Sequence, residues 1–149
     1  YKKMNYRVYR YDGYFACISS FLDYYQHSME LLSNAKAREM LFNVENRPVY
    51  TKVRNSTPTY YSEKSSIKNS MVADGSYIEG TVENSIIFRG VKVGRNATVK
   101  NSILMQDTIV GDGAFLNYVI TDKNVVLREG LMLCGADSQP FYVAKGKML

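Results

Sequence analysis

Ile67-Lys68-Asn69-Ser70-Met71, Val82-Glu83-Asn84-Ser85-Ile86, Val99-Lys100-Asn101-Ser102-Ile103 and Phe115-Leu116-Asn117-Tyr118-Val119 are four variants of one block. They start at intervals of 15, 17 and 16 residues. Between the starts, apolar residues recur at Val72 and Ile78, at Ile87 and Val93, and at Leu104 and Val110. Each period therefore divides into three short sides. Two sides follow a hexad of aliphatic, Gly and, in fifth place, a small residue: Val93 to Thr98 and Val110 to Phe115. Val72 to Tyr77 is a close variant.

A hexad period predicts a mainly β chain, a parallel β-helix in which three short strands make one coil. The aliphatic at the first place points inward and stacks on its equivalents at the ordinary strand spacing, ~4.8 Å. Gly and Asn sit where the chain turns sharply with positive φ, which Gly adopts freely and Asn at lower cost than most residues. Asn69, Asn84, Asn101 and Asn117 recur once per coil and are expected to stack as a ladder. A period near 16 rather than 18 means that one side per coil is shortened. Antiparallel strands with tight turns are the competing reading, but they would not require a repeating Asn-Ser pair.

Upstream of the repeat, the alternation of Met4, Tyr6 and Val8 predicts a strand. Asp12-Gly13 predicts a turn, and Tyr14 to Ile18 the returning strand. Ser20 with Asp23 resembles a capping box. Phe21, Leu22, Tyr25, Met29 and Leu32 then share one helical face. Asn34 interrupts, Ala35 to Phe42 forms a second helix, and Arg47-Pro48 bars further helix. Val49 to Val53 reads as a strand and Asn55 to Thr59 as a linker, with the β-helix starting near Tyr61. Downstream, Val125 to Leu127 and Leu131 to Leu133 continue the pattern. Gln139-Pro140 breaks it, and Phe141 to Ala144 makes a last strand, in a tail that caps the final coil.

The bulk numbers exclude several functions. Hydrophobic content of 46% and charged content of 22% suit a globular chain. No run approaches the ~20 apolar residues of a membrane span. The net charge of +5 is dispersed among alternating acids and bases, as on a solvated surface, so neither nucleic acid nor membrane is expected as a partner. Cys17 and Cys134 lack metal-ligand spacing and read as reduced thiols of a cytoplasmic protein. Asp74, Asp107, Asp112 and Asp122 read as solvated corner residues. The first residue is Tyr1 rather than Met, so the chain is expected to be a piece of a longer one.

Gly13-Tyr14-Phe15-Ala16-Cys17-Ile18 followed by Met29-Glu30-Leu31-Leu32 resembles the end of the nucleotidyltransferase domain of ADP-glucose pyrophosphorylases (glucose-1-phosphate adenylyltransferases). Pro58 to Tyr61, Val82 to Ser85, Phe88 to Val91 and Ser102 to Thr108 resemble that family's C-terminal left-handed parallel β-helix. The likeness is nearest to the accessory branch that serves bacterial glycogen biosynthesis. It implies a remnant of a nucleotidyltransferase-like domain plus linker over residues 1–55 and a hexapeptide-repeat domain over 56–149. Catalytic relatives use Mg²⁺ with ATP, and place an Asp that helps hold the metal three residues after a Gly-Tyr pair. That position is Cys17 here, and a thiol is a poor substitute for an oxygen ligand of Mg²⁺. No catalytic, cofactor-binding or metal-binding residue is therefore assigned, and no cofactor is expected in this stretch. The resemblance implies an oligomer, with the catalytic subunit or with itself, whose β-helix makes subunit contacts and whose effectors bind near the domain junction. Two alternatives stay open: the C-terminal part of the catalytic subunit, and a hexapeptide-repeat acyltransferase. The second lacks the histidine base such enzymes place between coils, because the one histidine, His27, lies outside the repeat. Three histidine zinc ligands, as in a β-helix carbonic anhydrase, are also lacking.

Overall fold

The hexads fold as the pattern dictates: every inward aliphatic finds its equivalent one coil away in a parallel ladder. A computed structural model describes residues 4–149 and contains, among them, two helices and fifteen short strands. The strands form three five-stranded sheets, the three faces of a β-solenoid. The first face stacks β1 (Tyr60–Tyr61), β4 (Tyr77–Ile78), β7 (Lys92–Val93), β10 (Ile109–Val110) and β13 (Val126–Leu127). The second stacks β2 (Ser66–Lys68), β5 (Thr81–Glu83), β8 (Thr98–Lys100), β11 (Phe115–Asn117) and β14 (Met132–Cys134). The third stacks β3 (Met71–Val72), β6 (Ile86–Ile87), β9 (Ile103–Leu104), β12 (Val119–Thr121) and β15 (Phe141–Val143). All pairings between these strands are parallel, which excludes the antiparallel reading.

Val82, Ile87, Val93, Val99, Leu104 and Val110, the expected core, are all buried in one continuous cluster. The registers also show why a coil has 17 residues. From Val99 to Leu104 is five residues, from Leu104 to Val110 six, and from Val110 to Leu116 six. The short side is the one bearing Asn-Ser. The first full coil loses two more residues between Ile78 and Val82, at Gly80. A Cβ on Gly80 would lie 2.3 Å from the Ala97 carbonyl oxygen, so the shortened corner admits only Gly.

The fourth block is displaced by one residue from the sequence reading. Val99 pairs with Leu116, not Phe115, so the block starts run at 67, 82, 99 and 116. Asn69, Asn84 and Asn101 occupy the left-handed corner at φ 44, 45 and 46°, but Tyr118 takes that place in the next coil at φ 55°. The ladder survives the shift. Each amide donates to the next carbonyl: Asn69 to Asn84 at 2.9 Å, Asn84 to Asn101 at 3.4 Å, and Asn101 to Asn117 at 2.9 Å.

The serines form a second, inner ladder. The backbone N–H groups of Ser85, Ser102 and Val119 donate to the hydroxyls of Ser70, Ser85 and Ser102 at 3.2, 3.1 and 3.0 Å. Each hydroxyl donates in turn to the carbonyl two residues back, on Lys68, Glu83 and Lys100. The strands break at this corner, and the serine supplies the acceptor that the sheet ladder would have provided.

The tail caps the last coil as expected. Met148 bridges to Val126, and the 147–149 backbone exchanges hydrogen bonds with Val126 and Arg128. The expected strands at 4–11, 14–18 and 49–53 do not form. Val8, Phe15 and Val53 stand in solvent, Val8 at 98% exposure, while Tyr14 is half-buried and donates its hydroxyl to Glu30 at 3.1 Å. A strand needs a partner for its backbone groups, and none lies beside these segments.

Candidate functional site at the helix–solenoid junction

Helix α1 (Phe21–Ser33) starts where the sequence predicts. The Ser20 hydroxyl accepts from the Asp23 N–H at 3.0 Å. The reciprocal arm reaches one residue further back than a capping box: Asp23 accepts from the N–H and hydroxyl of Ser19, at 3.1 and 2.7 Å. These bonds hold the Asp23 carboxyl below its usual range, the Ser19 hydroxyl first among them. Asn34 ends α1 and caps α2 (Ala35–Phe42), its side chain accepting from the Ala37 N–H at 3.1 Å.

α1 lies on the outer side of the third sheet. Tyr25 sits there with Ile103 and Ile120, all buried, and Tyr24, Met29, Ile86, Phe88 and Tyr118 pack around them. The Tyr25 hydroxyl donates to the Asn101 carbonyl at 2.8 Å. Burial, then the nearby Asp137 carboxylate and Tyr118, push the Tyr25 phenol well above its ordinary value. Phe21, expected on the packed face, is largely exposed, but its ring stacks on Tyr142 at 4.5 Å. Phe88 and Tyr118 pack beneath α1. Met105 lines an open cleft of ≈ 570 Å³ whose walls include Ile18, Tyr24, Ile120, Asp122 and Tyr142.

Cys17 is exposed in an irregular stretch just before this cleft, and Cys134 is also a free, exposed thiol. Ser19 and Ser20, shortly after Cys17, are used to cap α1. Among the described residues, no three His, Cys, Asp or Glu side chains gather in a metal-binding group. A thiol such as that of Cys17 is a poor ligand for Mg²⁺, which prefers oxygen. His27 is part-exposed, 3.6 Å from Glu30. The Glu30 carboxyl is held low, chiefly by the Asn34 amide and then by the Tyr14 hydroxyl. Asp74 binds Arg89 at 2.9 Å, which is the first cause of its lowered pKa. Asp112 accepts from the Arg95 N–H at 2.9 Å, Asp122 accepts from the Lys123 N–H, and Asp107 holds a corner at φ 59°.

Residues 55–146 match the family model described as "GlmU-like, C-terminal hexapeptide". The chain belongs to that hexapeptide family. It is 46% identical over 138 residues to the glycogen biosynthesis protein GlgD of Bacillus subtilis, covering 93% of this chain and 40% of that protein. It is 49% identical over 119 residues to GlgD of Geobacillus stearothermophilus, covering 80% of this chain and 34% of that one. A glucose-1-phosphate adenylyltransferase of Mycoplasma mobile is 33% identical over 89 residues, 60% of this chain and 23% of the enzyme. The hexapeptide chain thus spans about two fifths of the B. subtilis relative.

Two features escaped the sequence reading. The Tyr25–Asn101 bond joins residues 76 apart, and nothing local marks it. The outward row of the first sheet also went unread, although a signal marks it: it is the residue just before each inward aliphatic, Tyr60, Tyr77, Lys92, Ile109 and Val126.

Proposed function

We propose that this chain is the C-terminal part of an accessory subunit of ADP-glucose pyrophosphorylase, acting in subunit assembly and regulation of ADP-glucose formation in glycogen biosynthesis. The observation that carries this reading is the reach of the similarity. The likeness to B. subtilis GlgD runs over 138 residues and so takes in helical as well as solenoid sequence, whereas that to the M. mobile adenylyltransferase runs over 89. Cys17 in place of a carboxylate fits a subunit with no metal-dependent turnover of its own. Residues 1–55 then belong to a nucleotidyltransferase-like domain, and 56–149 to the solenoid domain. α1, clamped on the third sheet by Tyr25, is the rigid joint between them. The partner is the catalytic subunit, and the setting is the cytoplasm; no helix among the described residues is long and apolar enough to cross a membrane.

Co-expression of a GlgD-type protein carrying this chain with a tagged catalytic adenylyltransferase, followed by light scattering, tests the partner. A mixed oligomer of defined mass is expected. Failure of the catalytic subunit to retain the GlgD-type protein would overturn the reading.

A further inference from the structure

The corners that join the first sheet to the second are alike in every coil but one. From Tyr61 to Ile67, Val93 to Val99, Val110 to Leu116 and Leu127 to Leu133 is six residues each, but from Ile78 to Val82 is four. The second corner is therefore set back between projecting neighbours. Gly80 sits at its turn, where a side chain would strike the Ala97 carbonyl oxygen. The result is a notch of ≈ 480 Å³, a size that falls in the range of ligand pockets, about 300–1,000 Å³. Its floor is Glu79 to Thr81, one wall is the first corner, 62–64, and the other is Arg95 and Asn96 of the third. Both walls are held by hydrogen bonds. In the first, the Ser65 N–H and hydroxyl donate to the Ser62 carbonyl at 3.0 and 2.7 Å. In the second, the Arg95 N–H donates to Asp112 at 2.9 Å and the Ala97 N–H to the Gly94 carbonyl at 3.3 Å.

The notch offers a balanced set of polar groups. Glu63 and Glu79 bring two negative charges, and Lys64 and Arg95 two positive ones. A small anion or cation would meet as many like charges as unlike ones. Glu79 and Arg95 already bond through Oε1 and Nε at 3.3 Å. Among the described residues, that leaves Glu79 Oε2 and both terminal guanidinium nitrogens for a ligand. Two neighbouring hydroxyls suit this pair, one donating to the carboxylate and the other accepting from the guanidinium. The Asn96 amide, on the same wall as Arg95, can both donate and accept. Tyr60 adds an apolar side. Its ring is stacked on Tyr77 at 4.4 Å and is 49% exposed, so it is held in place and open to contact.

Hydroxyls set among C–H groups, with no net charge, are the chemistry of a sugar. We infer that the notch binds one or two units of a neutral α-glucan chain. The sugar contacts follow from the notch, whereas the choice of an α-glucan rests on the glycogen-biosynthesis reading above.

Saturation-transfer NMR with maltotriose, titrated against a GlgD-type protein carrying this chain, tests the site. Millimolar binding is expected. Arg95→Ala and Glu79→Ala should each weaken it about tenfold, the loss of one hydrogen bond to a charged group. Lengthening the second corner by two residues, to match its neighbours, should fill the notch and abolish binding. Arg128→Ala, at the same corner of the fifth coil, should leave binding unchanged. Circular dichroism checks the fold of each variant, and the exposed Arg95→Ala decides should the lengthened corner unfold. Absence of binding at millimolar maltotriose, or binding indifferent to both Arg95→Ala and Glu79→Ala, would overturn the inference. Inorganic phosphate that displaced the sugar would overturn it too, and cellotriose that bound more tightly than maltotriose would overturn the choice of glucan. Retention by the catalytic subunit plays no part in this measurement, so the two readings fail separately.

Discussion

Single residues set the geometry of the corners, and two of them can be separated by substitution. Asn84 holds φ 45° and both accepts and donates in the amide ladder. Asn84→Gly removes the ladder bonds but keeps the backbone unstrained, whereas Asn84→Ala also forces a Cβ into the left-handed region, about 1–2 kcal/mol more. Urea denaturation should rank the native chain first, Gly second and Ala last. Equal losses for Gly and Ala would mean that Asn is not relieving strain. Tyr25 joins helix to solenoid through its hydroxyl, and Tyr25→Phe would leave the Asn101 carbonyl without its donor, a loss of about 1–3 kcal/mol. The pH dependence has a definite sign. Burial raises the folded phenol above its unfolded value near ~10, so its contribution is complete below pH ~10 and declines as the unfolded state ionises above it. The stability gap between native and Tyr25→Phe should therefore shrink as the pH rises past ~10. A gap that widened there would contradict the buried, neutral phenol.

At the scale of elements, the Asn-Ser corner explains both the period and the persistence of the repeat. Ser102→Ala would strip the acceptor from the buried Val119 N–H and is expected to cost about 1–3 kcal/mol. Ser70→Ala, at the outer end of the same ladder, should cost less. Val99→Asp, by contrast, places a charge at a fully buried position and should abolish the cooperative transition altogether. Lys100→Asp loses the part-exposed pair with Glu83 and sets a second carboxylate beside it, a cost of only about 1 kcal/mol at this exposed position. Elements whose stability comes from repetition were legible in the sequence: the inward rows, the capped start of α1 at Ser20 and the break at Asn34. The off-by-one start at Phe115 arose because Tyr118, not Asn, fills the left-handed corner there, and Asn117 lies one place early. The strands expected at 4–11 and 49–53 failed for another reason. Alternation records that one side of a segment is to be covered, and the covering surface is not among the described residues. The junction was the least legible part. Tyr25 and Met29 announced a packed helix face, but only the fold places Asn101, Ile103 and Ile120 beneath it.

For the whole molecule, the account joins a solenoid of three unlike faces to a helix pair fixed on one of them. The covered face couples α1 to the coil stack, while the other two present side chains such as Tyr60, Ile109 and Met132 to solvent. Cys17, at the position where the resemblance to catalytic relatives implies a carboxylate, is an exposed thiol. The central proposal is that the protein carrying this chain supports ADP-glucose formation without performing it. It is tested most directly by assaying a purified full-length GlgD-type protein bearing this sequence, alone, with ATP, glucose 1-phosphate and Mg²⁺, and then again with the catalytic adenylyltransferase added. The account predicts no ADP-glucose above background from the protein alone, and a changed rate or effector response once the catalytic subunit is present. Robust ADP-glucose formation by the protein alone, with Cys17 intact, would contradict it.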